Sequence, residues 1–276
     1  GRTFEPEWLN WKHRGSPWGP SSIVCAQDST GLLGVVFLMP WELNIDGERV
    51  VAGRLVDGAT TPDSTRRGVF RSVVAEVMSR GFSKAPGVVF ATATPAAQAA
   101  HVKNGAVALE PIPWTIAPQR PRSAGLETGL GVLEGRPEPS AAPNAASTNW
   151  TNDALRWRLD TRSGHHYEVC RLEQCDGPHG VVFRTSRRRG IATLNLLASW
   201  GDRDECAATV AAIAARERAV AVRSASGAGT STTRSKWSLG RGASLLCVWD
   251  RRENADVDLT SLAQWSLSGL DLEGLI

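Results

Sequence analysis

Tyrosine is almost missing. The 276-residue chain has 11 Trp and 6 Phe but a single Tyr, Tyr167. Tyr167 lies in the second half at a strand start and reads as a packing residue. Cysteine is sparse and odd in number: Cys25, Cys170, Cys175, Cys206 and Cys247. That spread argues against a disulfide framework. No Cys-x-x-Cys occurs, and no His stands at zinc-ligand spacing from a Cys pair, so no metal is expected. No uncharged apolar run reaches the roughly 20 residues of a membrane span. The start shows no signal-peptide pattern, which makes the cytoplasm the expected compartment. Charge of one sign is also lacking, with 31 Lys+Arg against 28 Asp+Glu and a net +3. Without a concentrated basic face, nucleic acid is not an expected partner. Arg187-Arg188-Arg189-Gly190 has no interleaved aromatics and reads as a solvated hairpin turn.

What is present is core-forming material. Hydrophobic residues make up 42% of the chain, enough for one large domain or two ordinary ones. Leu32–Leu43 is a long apolar strand, Asp46-Gly47 a hairpin turn, and Arg49 to Thr60 the return strand. Val69, Phe70, Val73, Val74, Val77 and Met78 recur at helical spacing. A short buried strand at Gly87–Thr92, a helix at Ala96–Asn104 and a strand at Val107–Ile116 complete a first unit. Residues 118–149 are rich in Pro, Ala, Gly and Ser and read as a linker or long surface loop. After it the pattern returns. Val169-Cys170 and Gly180–Phe183 echo Val24-Cys25 and Gly34–Phe37. A strand at Ile191–Ala198, a helix at Asp204–Arg218 and strands at Ala219–Ser224 and Leu245–Trp249 follow. The order suggests a repeat, although short apolar strings of this kind also recur between unrelated α+β domains. Gly227–Thr233 is small and polar and lacks the Gly-Lys-Ser/Thr of a phosphate loop.

The stretch Leu55–Arg71 is strand, Arg/Gly loop, then helix. Free backbone N–H groups and the positive end of the dipole make a helix start a ready anion site. Gly68 lets the backbone approach a pyrophosphate, and Arg66, Arg67 and Arg71 add positive charge. The other reading is a solvated helix start with incidental arginines.

Thr65-Arg66-Arg67-Gly68-Val69-Phe70 resembles the acyl-CoA-binding motif of the GNAT superfamily of N-acyltransferases, Arg/Gln-x-x-Gly-x-Gly/Ala. The central Gly matches; Thr65 and Phe70 depart from the pattern. Trp11-Lys12-His13 with Pro17–Ser21, and Asp57-x-Ala59-Thr60-x-Pro62, are similar to landmarks of a bacterial branch of these proteins. Trp157-Arg158 and Trp265–Asp271 resemble that branch's second-half landmarks. The resemblance implies an α+β fold of two GNAT-like domains, each a mixed, mostly antiparallel sheet flanked by helices. Their expected limits are 1–117 and 150–276, the second domain being degenerate and lacking the loop.

The resemblance further implies an acetyl-CoA co-substrate and transfer to a primary amine of a small molecule, such as an amino sugar or natural product. The alternatives are a non-catalytic ligand- or partner-binding module, or use of a longer acyl-CoA. The edge of Val56, Gly58, Ala59 and Thr60 would pair with pantetheine. Arg66, Arg67, Gly68, Val69, Phe70 and Arg71 would hold the pyrophosphate. His101 stands where the family often has a tyrosine acid, and is read either as that acid or as a residue beside the cofactor. Asp57 is a base, a structural carboxylate or an anchor for a cationic substrate, and Glu42 is the second candidate base. At Trp200–Glu205 the acidic residues suit helix capping and would repel a pyrophosphate. One cofactor site per chain, in a monomer or homodimer, is expected.

Overall fold

Two hairpins of two residues each frame the structure. Asp46-Gly47 and Arg189-Gly190 have positive φ at both positions, the geometry that matches strand twist in tight hairpins. The computed structural model describes residues 5–29, 31–82, 87–120, 122–137, 145–163, 165–175, 177–225, 237–253 and 255–272. The Gly227–Thr233 loop lies outside them. Among these residues no helix is long and apolar enough to cross a membrane.

Helix α1 (Pro6–His13) leads into β1 (Ser22–Asp28), β2 (Gly31–Ile45) and β3 (Glu48–Thr60). Then come α2 (Val69–Phe82), β4 (Val88–Ala93) and α3 (Pro95–Lys103). Strands β5 (Val107–Ala108), β6 (Ile112–Pro118), β7 (Leu126–Thr128) and β8 (Ala146–Thr148) precede α4 (Asn152–Arg158). The remainder is β9 (Glu168–Leu172), β10 (Gly180–Arg188), β11 (Ile191–Trp200), α5 (Arg203–Glu217), β12 (Ala219–Ala225), β13 (Trp237–Asp250) and α6 (Gly269–Leu272).

One pairing scheme occurs twice. β1, β2 and β3 are antiparallel neighbours, and β3 runs parallel to β4 after the α2 crossover. β9, β10 and β11 are antiparallel neighbours, and β11 runs parallel to β12 after α5. The next strand in each sheet comes from the other half of the sequence. Residues Leu245–Asp250 of β13 pair with β4. β6 pairs with β12 at Trp114–Pro118. The first residues of β13 also pair with β6, which links the two sheets.

The expected strand Val107–Ile116 is therefore interrupted. Pro111 lacks the N–H that a continuous ladder needs, and the chain leaves the first sheet for the second there. The segment 118–149, expected to be a linker or loop, contributes β7 to one sheet and β8 to the other.

Apolar residues of both sheets meet in one core. Trp41, Phe90, Trp150, Trp157, Tyr167, Leu197, Val248 and Trp265 belong to it. Its most symmetric contact joins α1 to α4. Trp11 and Trp157 stack at 5.1 Å, and each indole N–H donates to the other residue's carbonyl at 3.0 Å. Both buried donors are thereby satisfied inside an apolar setting. Two smaller cores lie beneath α2 (Val73, Val74, Val77 against Leu55, Val89) and beneath α5 (Val210, Ile213 against Leu194, Leu196).

A chain ended after residue 117 loses the partner of β4 and exposes that strand's inner edge. The expected outcome is loss of a cooperative thermal transition, read by circular dichroism, with aggregation on gel filtration. A soluble fragment with a sharp transition would show β13 to be dispensable.

Candidate active site

Parallel pairing between β3 and β4 consists of Gly53 with Val89 and Arg54 with Phe90. Beyond that point the strands part. The cause lies in the register of β3 on β2. Val35 faces Ala59, but Phe37 faces Val56, so β3 carries an extra residue near Asp57-Gly58. Asp57 has φ +50, a conformation seldom adopted by residues with a side chain, and a bulge of this kind bends its strand. Gly58 packs against the Phe70 ring so closely that a Cβ would collide with it.

Two adjoining spaces result. The inner cavity, about 260 Å³, lies between Arg54–Gly58 of β3 and Ala91–Ala93 of β4 with the following Thr94, and Lys12 and His101 are in its wall. The outer groove, about 680 Å³, runs between the start of α2 and α3. Gly58, Phe70, Thr94 and Ala97 line both.

The outer groove collects most of the residues expected to hold a cofactor: Gly58, Ala59, Thr60, Arg66, Gly68, Val69, Phe70 and Arg71. Val56 lines the inner cavity instead. Arg67 is exposed and lines neither space. Gly68 has φ +81 and accepts the first helical hydrogen bond, from Ser72 N–H at 3.0 Å. The N–H groups of Val69, Phe70 and Arg71 precede that bond and have no carbonyl one turn back within the helix. Lys103 adds a cation from α3, whose Asn104 cap donates to the Arg71 carbonyl at 3.1 Å.

Asp57 lines the inner cavity beside the end of α1. Its Oδ2 lies 2.5 Å from Lys12 Nζ and 3.0 Å from His13 Nε2. His13 Nδ1 continues to Ser21 Oγ at 3.0 Å, and the His13 ring stacks on Phe37 at 3.9 Å. Burial raises the Asp57 carboxyl, but the His13 hydrogen bond and the Lys12 charge outweigh it and hold the group below the usual carboxylate range. Burial lowers the Lys12 ammonium to about 8 despite Asp57. The spacing of Lys12 and His13 from Asp57 in sequence concealed this cluster. The Trp11-Lys12-His13 and Asp57-x-Ala59 landmarks were its only trace.

His101 is buried, with 4% of its surface exposed, between the rings of Phe70 at 5.6 Å and Trp249 at 5.3 Å. Its Nδ1 has no hydrogen-bond partner. Burial lowers its pKa to about 4, so the ring is neutral at pH 7. Glu42 is not brought to the cavity. Its carboxylate takes Arg49 Nε at 2.7 Å and the Asn149 amide. Trp41 is fully buried and donates to Thr148 Oγ1 at 2.8 Å.

The second sheet carries a longer parallel ladder. β11 and β12 stay paired over Ala192–Leu196, up to the residue before that sheet's own register shift. The start of α5 is already capped, because Asp202 Oδ1 accepts from Asp204 N–H at 2.8 Å and Glu205 N–H at 3.0 Å. Among the described residues, Cys175, His179 and Glu205 bring metal-ligand atoms within 4.8 Å of one another. Both His179 nitrogens already have protein neighbours: Nε2 accepts from Leu172 N–H, and Nδ1 faces the Gly177 carbonyl.

No protein-family model matches the chain, and no curated protein matches it significantly in sequence. Its fold does match solved structures. A GCN5-related N-acetyltransferase from Anabaena variabilis superposes with TM-score 0.65 at 11% identity, over 89% of this chain and 65% of its own. A conserved protein of unknown function from Enterococcus faecalis, described as a probable N-acyltransferase, gives 0.55 at 10% over 82% and 62%. Eis1 from Mycobacterium abscessus gives 0.52 at 15% over 81% and 59%. The chain spans less than two thirds of each of these proteins.

The His101 environment makes a measurable prediction. An unfolded His takes up its proton near pH 6.5, whereas the folded one resists until about 4. Between those values the unfolded state binds more protons, so folding stability falls as pH falls. The limiting loss is about 3 kcal/mol. Urea melts of His101→Phe are expected to lose this component of the wild-type pH slope while keeping its other acid-sensitive components. An unchanged slope would show the ring to be solvated. Parallel parting strands beside a helix N-terminus, in an α/β frame shared with these neighbours, give the chain a GNAT-like fold.

Proposed function

We propose that the chain moves an acetyl group from acetyl-CoA to a primary amine of a small molecule, by direct attack of the amine on the thioester. One observation carries the reading. The groove at the start of α2 adjoins, through the shared residues Gly58, Phe70, Thr94 and Ala97, the cavity between β3 and β4 that Lys12 and Asp57 line.

The Val69–Arg71 amides, with Arg66 and Arg71, take the pyrophosphate. The free edge of β3 over Val56–Thr60 hydrogen-bonds pantetheine as an added strand would. The thioester then reaches His101. Three demands remain: a neutral amine, a donor for the oxyanion and a proton for the leaving sulfur. Amides on the unpaired edge of β4 past Phe90 serve the oxyanion. Asp57 accepts a hydrogen bond from the entering ammonium, and its proton passes along His13 toward the partly exposed Ser21. His101, being neutral, donates a ring N–H hydrogen bond to the departing sulfur, and the proton the sulfur takes up is the one the amine nitrogen loses as the amide forms. In this reading the units 1–117 and 150–276 are two GNAT-like domains that exchange strands, the second without a cofactor site. Amino sugars and natural-product amines are the acceptor classes the sequence suggested, and the protein acts in the cytoplasm as a monomer or homodimer.

A non-catalytic module that binds CoA without turnover has one observation in its favour: the Asp57 carboxylate already serves Lys12 and His13. Turnover separates the two readings.

Calorimetry with acetyl-CoA is expected to show binding that Gly68→Asp weakens by about tenfold or more. That change puts a negative charge beside the pyrophosphate and a side chain where φ is +81. The absence of binding at millimolar acetyl-CoA would sink the cofactor assignment. Asp57→Asn is expected to retain CoA affinity and lose roughly a hundredfold in kcat. CoA binding with no thiol release over a panel of amines would favour the non-catalytic module.

A further inference from the structure

An antiparallel sheet with one face in water alternates apolar and polar residues along each strand. Strands β1 and β2 do not. Val24, Val36 and Leu38 face α2 and fill the core beneath it. The alternate positions, on the opposite face, are apolar as well. Ile23, Phe37 and Val56 are cross-strand partners, and so are Cys25, Val35 and Ala59. Ile23 is 52% exposed, Cys25 is exposed, and Val35 and Phe37 are half-buried. β1 is the outermost strand on this side of the sheet. A single exposed apolar side chain needs no explanation, but two adjoining rows form a patch, and a patch marks a binding surface.

The row of Val56, Phe37 and Ile23 begins in the site. Val56 lines the inner cavity. The Phe37 ring beside it stacks on His13 at 3.9 Å, and His13 Nε2 lies 3.0 Å from Asp57 Oδ2. Phe37 and the Asp57 carboxylate therefore touch the same imidazole. Lys12 contacts that same oxygen, Oδ2, at 2.5 Å, and 27% of the Asp57 side chain stays exposed. From Val56 the row crosses two strand spacings to Ile23, about 10 Å. A carboxylate at one end and an apolar strip leading away from it are the complement of an amphiphile with a cationic head.

The face of the sheet indicates which reactant lies there. The proposed cofactor groove runs between the start of α2 and α3, and α2 packs on the Leu55 side of the sheet. A body lying on Val56, Phe37 and Ile23 is across the sheet from α2 and leaves the groove to the cofactor. We propose that the acceptor is a primary amine whose body is a hydrocarbon chain or ring, with its ammonium on Asp57 Oδ1 and its body along Val56, Phe37 and Ile23. Amino sugars are poor acceptors in this arrangement, because their hydroxyls lose water on the strip without gaining a partner. Acetyl transfer to the amine rests on the acyl-transfer reading; the amine site does not.

The probes are butylamine, hexylamine and octylamine, with ethanolamine and glucosamine as polar-bodied controls. The alkyl series keeps the amine's basicity nearly constant, so a trend along it reports the body alone. Calorimetry titrates each amine into the full chain with and without CoA, and transfer assays run the same set with acetyl-CoA. Affinity is expected to rise about threefold or more per two-carbon step, with octylamine about tenfold or more above ethanolamine. The rise should flatten in Ile23→Gln, which replaces an exposed apolar group by a neutral polar one. Ile23→Thr gives the same readout and keeps a β-branched residue should Gln disturb β1. No rise along the series, or a rise that survives both variants, overturns the proposal. A flat series together with a dimer in sedimentation that Ile23→Gln splits overturns it by giving the strip to a second copy. Equal transfer to all the amines would defeat the proposal and leave the acyl-transfer reading standing. An Ile23-dependent rise in amine binding without any acetyl-CoA binding would defeat the acyl-transfer reading and leave the amine site standing.

Discussion

The parting of β3 from β4 after Arg54 and Phe90 is the constraint on which the site depends. Two residues of parallel pairing hold the strands together, and an extra residue at Asp57-Gly58 then bends β3 away. Had the ladder continued, Leu55–Gly58 and Ala91–Ala93 would satisfy one another and no cavity would exist. The opening leaves two backbone edges unpaired in a parallel sheet, where such edges are normally covered. It also brings the αL residue Asp57 to the mouth and Arg54 to the floor. The second sheet shows the contrast. Its parallel pair runs up to its own register shift, and its helix start is capped by Asp202.

Stability and site are tied together by the exchanged strands. β4, one wall of the cavity, is held on its far side by residues Leu245–Asp250, more than 150 positions later in sequence. α6, packed against β11 and β12, supplies the carbonyl that anchors Arg54. The core shared by both sheets contains the reciprocal Trp11–Trp157 pair, which fixes α1 and hence the Lys12 and His13 side chains next to it. Positioning of Asp57 is thus a property of the whole chain. Loss of either half is expected to disturb it through the same contacts that bury the apolar surface.

Much of the frame was legible in local sequence. Asp46-Gly47 and the long strands on either side of it read directly, since turn chemistry and apolar runs are local signals. The helix from Val69, the groove residues around Gly68 and the acidic cap at Asp202 were equally readable, because helix starts carry their own chemistry. Other features were not readable. Nothing in Val107–Ile116 announced that Pro111 would send the chain to the other sheet, and nothing in Leu245–Asp250 named β4 as its partner. His101 was open between two roles until its burial between Phe70 and Trp249 showed a neutral ring. Glu42, plausible as a base from its strand, is held by Arg49 and Asn149 away from the cavity.

The sequence by itself determined the long hairpin strands and the helix starts of α2 and α5, because periodicity, turns and caps act over a few residues. Tertiary structure alone decided the environment of each charged group. Lys12, Asp57 and His13 meet across 44 to 45 positions, and Arg54 reaches a carbonyl 217 residues away. Charge in a buried site is governed by desolvation and by neighbours a few ångströms off, and those neighbours are chosen by the fold rather than by adjacency in the chain.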